Sequence, residues 1–121
     1  MRSKRATAQL DHIFYALSDP TRRDILEVLS KKQATVGELA EKSNLTLPAI
    51  SKHLKVLEKG QLIHRQDHPE DGRVIVLGLE PKAMTKATDW LEKHRQYWNQ
   101  QFDALEKFLE ANPEPKKGEE K

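Results

Sequence analysis

Residues 46–59 read TLPAISKHLKVLEK, and this stretch decides the fold that the rest of the chain must build. A helix advances by about 100° per residue, which gathers Ile50, Leu54 and Leu57 on one side. The opposite side carries Pro48, Lys52, Lys55 and Lys59, with Ser51 on its flank. The segment is therefore predicted to be an amphipathic helix that buries one face and presents three lysines on the other.

The flanking segments carry the signals of a preceding helix and a following hairpin. Residues 35–38 (TVGE) form a capping box that begins a short helix, and the polar turn 42–45 separates it from the next one. Gly60 stands where a helix commonly ends on a left-handed residue. Segments 62–67 and 73–79 then read as two short strands, joined by a loop that ends in Asp-Gly. Two helices joined by a tight turn and followed by a hairpin predict a winged helix-turn-helix.

Helical patterns also occupy the rest of the chain. An apolar stripe starting at Leu10 indicates a first helix, Ser18-Asp19-Pro20 begins a second, and Pro81 begins a long last one. The predicted fold class is mainly α with a small β-hairpin: a winged helix-turn-helix with a long C-terminal dimerisation helix. The predicted parts are a flexible N-terminal tail (1–8), a DNA-binding domain (9–80), a dimerisation helix (81–111) and a disordered tail (112–121).

The charge of the chain is local rather than global. The 21 basic and 19 acidic residues leave a formal charge of only +2, yet residues 46–66 hold four basic residues against the single acid Glu58. A lysine stripe is also an ordinary feature of a solvated helix face. The hairpin that follows, with Arg65 and Arg73 on its strands, favours phosphate binding instead.

The residues resemble a known family at several motifs. The segments ALSDPTRRDIL (16–26), VGELA (36–40) and LPAISKHLKVLE (47–58) resemble the second helix and the helix-turn-helix of the ArsR/SmtB family of bacterial transcriptional repressors. Gly72-Arg73 resembles the family's wing tip. Trp90-Leu91, Arg95, Trp98, Phe102 and Leu105 resemble the last helix of an aromatic-rich subgroup that lacks the metal-binding cysteine box.

The resemblance implies a dimeric winged-helix repressor that releases DNA when an inducer binds. Ser51 and His53 would face or approach the DNA, Lys52 and Lys55 would touch phosphates, and Arg73 would reach the minor groove. Pro48, Lys59 and Arg65 complete the predicted DNA-binding set. Two points stay open or depart from the family. His53 lies at the edge of the buried face and has a packing role as its alternative, and Leu47 replaces a polar residue, where it is expected to pack rather than to touch a thymine methyl.

The last helix has an apolar seam with a spacing close to 3.5 residues, the period at which helices pair. Five of the seven aromatic residues lie between residues 90 and 108, more than a small monomer covers. The predicted dimer-interface residues are Leu10, Phe14, Met84, Leu91, Trp98, Phe102 and Leu105. The alternatives are that some of them cover the domain's own core, or that the aromatics line a pocket for an apolar inducer.

Several functional classes find no support. The chain has no cysteine, and no nucleophilic triad, phosphate-binding glycine loop or acidic dyad has suitable spacing, so we predict neither an enzyme nor a cofactor. Asp89 and His94 lack the second histidine of a family metal site, and the cluster of His64, Asp67 and His68 reads as an ordinary polar wing. No membrane helix or leader is evident, so a cytoplasmic protein is expected.

The sequence therefore predicts a homodimer bound to double-stranded DNA. Its two recognition helices would enter successive major grooves of an inverted repeat, about 34 Å apart. The identity of any inducer is left open. The competing hypothesis is a winged-helix module that docks another protein and reads no DNA.

Overall fold

Five helices and a small three-stranded sheet make up the part of the chain that the computed structural model describes, residues 4–113, with side chains from residue 8 onward. The elements, in chain order, are α1 (Lys4–Leu17), α2 (Pro20–Lys31), β1 (Ala34–Thr35), α3 (Val36–Ser43), α4 (Leu47–Lys59), β2 (Ile63–Asp67), β3 (Ile75–Leu79) and α5 (Pro81–Ala111). This order confirms the predicted fold class, a mainly helical winged helix-turn-helix with a long last helix.

The helices begin where the polar residues of the sequence indicate. The Asp19 carboxylate accepts a hydrogen bond from the Arg22 backbone N–H (3.2 Å) at the start of α2. Thr35 and Glu38 form both hydrogen bonds of the predicted capping box on α3. The Thr46 hydroxyl accepts from the Ala49 backbone N–H (3.2 Å) at the start of α4. Each cap satisfies backbone donors that have no partner within the helix, and so fixes where the helix begins.

The sheet has the strand order β1–β3–β2, with both pairings antiparallel. β2 and β3 form the predicted hairpin, in a register that places Ile63 opposite Leu79 and His64 opposite Gly78. The sequence did not predict β1, which pairs Ala34 with Leu77. A strand of two residues has no periodicity to detect, because its pairing depends on a partner more than forty positions away.

The core lies between the first four helices and the sheet. Its fully buried large side chains are Ile13, Ile25, Leu39, Ile50, Leu54, Leu57, Leu62 and Leu77. Ala83 and Ala87, in the first turns of α5, are also buried in this core. The compact unit accordingly runs to Ala87, beyond the predicted domain boundary at residue 80.

From Thr88 onward the chain forms a second unit, in which α5 continues to Ala111. Most of its large apolar side chains are exposed: Leu91, Tyr97, Trp98, Phe102, Leu105, Phe108 and Leu109. Among the residues that the structure describes, no helix is both long enough and apolar enough to cross a membrane.

The predicted boundary of the N-terminal tail needs correction. α1 begins at Lys4, so the predicted flexible tail at 1–8 is wrong for residues 4–8. These residues contain no proline or glycine and include two alanines, which favour continuation of the helix toward the N-terminus. The remaining tail predictions, for residues 1–3 and 114–121, lie outside the described residues.

The end of α4 also differs from the prediction. Gly60 has φ −79°, and the left-handed residue is Gln61, with φ 60°. A Cβ on Gly60 would lie 3.3 Å from the backbone oxygen of His12. A side chain at residue 60 would therefore crowd the backbone of α1, whereas the backbone angles of Gly60 are ones that any residue can adopt.

Candidate nucleic-acid interface

The structure orients α4 as its sequence predicts. Ile50, Leu54 and Leu57 are fully buried, and Lys52, Lys55 and Lys59 are exposed on the other side. Pro48 is exposed at the first turn, and Ser51 is half-buried on the flank. A helix anchored along one face and basic along the other can lie against a polyanion without losing its packing.

None of the three lysines of α4 forms an ion pair or hydrogen bond with any residue between Ala8 and Pro113. Their ammonium groups are thus free, within this part of the chain, to replace the counterions of a nucleic acid backbone. These three lysines are called the lysine face below.

The two predicted wing arginines are already paired with acids. Arg65 on β2 donates two hydrogen bonds to the Glu58 carboxylate on α4, from Nε to Oε2 and from Nη2 to Oε1 (3.2 Å). Arg73 donates from Nε to the Asp71 carboxylate at 3.1 Å. The hydrogen bonds from Arg73 hold the pKa of Asp71 below its ordinary value. Arg65 is thereby drawn to α4, whereas the Arg73 side chain, which is 91% exposed, stays at the tip of the wing.

The side chain of His53, on α4, reaches the start of α2. Its Nδ1 is 3.2 Å from Nη1 of Arg22 and 3.9 Å from a carboxylate oxygen of Asp19. Burial raises the pKa of Asp19, but the Arg22 backbone N–H and the neighbouring His53 and Arg22 side chains outweigh it, so this pKa is lowered. Of the two roles left open for His53, the packing role thus has direct contacts, and the exposed quarter of its side chain leaves room for a DNA role as well.

Arg22 is a site residue that the sequence analysis missed. Its side chain is buried, with only 7% of the residue exposed, and no other charged residue is buried in the part of the chain that the structure describes. The signal was present in the sequence, because Arg22, Ile25, Leu26 and Leu29 have the i, i+3, i+4, i+7 spacing of one helix face. An arginine on an apolar face implies polar partners from elsewhere in the fold.

Leu47 is 56% exposed, so the expectation that it packs is wrong. It occupies the first position of α4 and is not part of the buried core.

The predicted polar wing cluster is dispersed. Nδ1 of His64 lies 3.5 Å from a carboxylate oxygen of Glu80, and Nδ1 of His68 accepts a hydrogen bond from the Glu70 backbone N–H (3.0 Å). Over the described residues, no three or more metal-binding side chains are grouped.

The predicted dimer residues fall into two groups. Phe14 and Met84 pack partly against the core, and Leu10 is half-buried. Leu91, Trp98, Phe102 and Leu105 are each about half exposed, with the Trp98 and Phe102 ring centroids 6.1 Å apart. Together with Trp90, Leu91, Trp98 and Phe102 line a largely apolar groove of about 640 Å³ along α5. The apolar face of α5 denotes Leu91, Trp98, Phe102 and Leu105 below.

Comparison with known proteins agrees with this geometry. Residues 17–66 match a helix-turn-helix domain family. The chain is 35% identical to the transcriptional repressor SdpR of Bacillus subtilis over 82 residues, which cover 68% of this chain and 88% of SdpR. It is 32% identical to the HTH-type transcriptional regulator Rv2034 of Mycobacterium tuberculosis over 84% of this chain and 89% of that protein.

A solved structure extends the similarity to the fold. The crystal structure of an ArsR family transcriptional regulator superposes with a TM-score of 0.70 at 36% identity, covering 82% of this chain and 97% of the other. The relatives are transcription factors rather than enzymes, in agreement with the prediction from the sequence. The lysine face, the winged fold and these similarities together show that the chain belongs to the ArsR family of winged helix-turn-helix, DNA-binding transcriptional regulators.

Proposed function

We propose that the protein is a homodimeric, sequence-specific repressor that inserts α4 into the DNA major groove and lays the hairpin β2–β3 on the backbone and minor groove. The observation that carries this proposal is the lysine face, since α4 buries its apolar side in the core and has free ammonium groups opposite. The similarity to the transcriptional repressor SdpR supports a repressing rather than an activating role.

Contacts to bases and contacts to phosphates have different sources in this proposal. Lys52, Lys55 and Lys59 neutralise phosphates, which gives affinity without sequence preference. Ser51 and Leu47, at the first turns of α4, are placed to read base edges through a hydroxyl and a methyl contact. Pro48 lies beside them and restricts the backbone where the helix begins.

The wing contributes mainly through Arg73. Its guanidinium pairs with Asp71 at the loop but is almost fully exposed, so this weak surface ion pair can be exchanged for contacts in a minor groove at small cost. Arg65 supports the proposal less than the sequence suggested, because its ion pair with Glu58 holds it against α4 and leaves its side chain only 38% exposed.

The homodimer part of the proposal rests on the apolar face of α5. Four large apolar side chains that are each about half exposed along one helix are typical of a surface that a second subunit covers. Two-fold symmetry would then present two α4 helices to an inverted repeat. The groove on the same helix is also suited to an apolar inducer, and such an inducer would compete with the second subunit for this face.

The test is selection from a random-sequence library of duplex DNA, followed by measurement of the mass of the enriched complex. We expect a palindromic motif with half-sites one helical turn apart and two protein chains per duplex. Repression is then measured with a reporter gene that carries the enriched motif. A protein that enriches no sequence and binds duplexes without regard to salt would contradict the proposal and favour the protein-docking module instead.

A further inference from the structure

Arg22 is a buried guanidinium, and each of its three nitrogens has a hydrogen-bond partner within the protein. Its Nε donates to the backbone oxygen of Ala16 and its Nη2 to that of Tyr15, both at 2.9 Å. The guanidinium also lies over the Tyr15 ring, 5.0 Å from the ring centroid. Tyr15 and Ala16 belong to the last turn of α1, where carbonyl groups lack helical partners and a cation is favoured. Arg22 is therefore held rigidly, with Nη1 directed at His53.

The contact with His53 fixes the chemistry of the imidazole. An arginine has only donors and keeps its charge in proteins, so Nη1 must donate and Nδ1 of His53 must accept. A neutral imidazole that accepts at Nδ1 carries its proton on Nε2. Nε2 of His53 has no hydrogen-bond partner among the described residues. It is not buried either, because the buried side-chain nitrogen without a partner in this part of the chain is Nδ1 of His64. The free edge of His53 is consequently an N–H donor that reaches solvent.

We propose that Arg22 is a positioning residue that holds His53 in the Nε2–H tautomer and thereby makes it a hydrogen-bond donor to an acceptor atom of DNA. This inference rests on the proposed function, because it assigns His53 of α4 to the DNA interface. The acceptor is a phosphate oxygen or a base-edge oxygen or nitrogen, and both present the same chemistry to an N–H group.

The network also explains why the site uses an arginine. The guanidinium carries several donors in a planar fork, so one group satisfies two carbonyls of α1 and the imidazole of α4 at once. Asp19, at the start of α2, is close enough to Arg22 for the guanidinium to lower the pKa of its carboxyl group, so the carboxylate offsets part of the buried charge. Three helices thus set the orientation of one side chain on the recognition helix.

The first experiment uses the unmodified protein without DNA. Two-dimensional ¹H–¹⁵N spectra that connect the ring nitrogens to the ring protons identify the tautomer of each histidine. We expect one histidine, assigned to His53 by its loss in His53→Gln, to have an unprotonated Nδ1 and a protonated Nε2. A proton on Nδ1, or fast exchange between the two tautomers, would overturn the proposal whatever the DNA results.

The second experiment compares two variants that leave Arg22 in place. His53→Gln retains an amide donor at about the reach of Nε2, whereas His53→Asn retains an acceptor near Nδ1 but nothing at Nε2. On the duplex that the unmodified protein selects from a random library, we expect His53→Asn to weaken binding about 30-fold, the size of one hydrogen bond in each of the two subunits, and His53→Gln to weaken it less. Equal losses, or a greater loss in His53→Gln, would overturn the proposal.

The third experiment tests whether Arg22 acts through His53. Arg22→Lys keeps the charge but lacks the planar, forked guanidinium. In the otherwise unmodified protein we therefore expect mixed His53 tautomers and weaker DNA binding. Added to His53→Asn, Arg22→Lys should cause no further loss of affinity. An additive loss would show a general structural role and refute the positioning role. If Arg22→Lys does not fold, the spectra and the two His53 variants still decide.

Reselection from the library with His53→Asn separates the two acceptors. Relaxed preference at one position of the motif indicates a base contact, and uniformly weaker binding with the same motif indicates a phosphate contact. If the unmodified protein selects no motif, the proposed function fails. If it selects one and the two His53 variants behave alike, only this inference fails.

Discussion

Replacing Lys52 and Lys55 by alanine tests the lysine face most directly. Both side chains are exposed on α4 and have no ion-pair partner among residues 8–113, so their loss breaks no contact that stabilises that part of the fold. Alanine also has the highest helix propensity, which keeps α4 intact. The expected change is therefore in the salt dependence of DNA binding and not in folding.

The size of the change follows from counterion release. Each phosphate contact adds about 0.9 to the steepness of the negative slope of log affinity against log salt. Removing two contacts from each subunit of a dimer therefore makes the slope shallower by about 3.6. Over a rise from about 50 to 200 mM salt, this corresponds to about 150-fold less weakening of the complex than in the unmodified protein. A monomeric complex would show about half the change in slope.

Two control variants separate position from charge. Lys31→Ala removes one positive charge per subunit, half of what the double alanine variant removes, at the far end of α2, about 17 Å along that helix from its first residue, and we expect no change in slope. Glu58→Gln frees Arg65 from its ion pair, and a steeper slope is expected because Arg65 can then reach a phosphate.

The assay is fluorescence anisotropy of a labelled duplex, titrated at a series of salt concentrations, with thermal unfolding as the test of folding. An unchanged slope in the double alanine variant, with unfolding also unchanged, would refute the assignment of these lysines to phosphates. A slope changed half as much by Lys31→Ala as by the double alanine variant would show that only the total charge matters.

Three further predictions concern stability and assembly. The Thr35 backbone N–H holds the pKa of Glu38 below its ordinary value of 4.5, so the stability from this carboxylate is present above that pH and lost as the pH falls through the lowered pKa. Glu38→Gln should therefore make the free energy of unfolding, measured with urea, fall less steeply as the pH is lowered. An unchanged fall at acid pH would contradict this. Gly60→Ala places a Cβ 3.3 Å from the His12 backbone oxygen and should lower the free energy of unfolding by about 1–2 kcal/mol, whereas an equal or higher melting temperature would disprove the close-approach role. Trp98→Glu with Phe102→Glu should yield a folded monomer in native mass spectrometry, because two charges would be buried in the proposed interface, and a persistent dimer would place the interface elsewhere.

Local signals in the sequence determined most of the fold. Thr35, Thr46 and Asp19 are polar caps whose hydrogen bonds close within three residues, so their effect can be predicted without knowing the rest of the structure. The helical period placed the buried and the lysine-bearing sides of α4 correctly for the same reason. The family resemblance was carried by these same segments.

The tertiary structure alone decided which charges are free. Arg65 and Lys55 look alike in the sequence, but only the packing of β2 beside α4 brings Glu58 to Arg65. The same holds for His53, whose orientation depends on Arg22, thirty-one positions away. Long polar side chains can reach many partners, and the choice among them is made by distances across the fold.

Sequence by itself thus determined where the helices begin, which faces they bury and that a basic helix precedes a wing. Only the folded chain decided that Gln61 and not Gly60 is left-handed, that Leu47 is exposed, and that one buried arginine controls a histidine on the recognition helix. The physical reason is range. Helix caps and hydrophobic periodicity act within a turn or two of the chain, whereas close backbone approaches and buried ion networks exist only once distant segments have met.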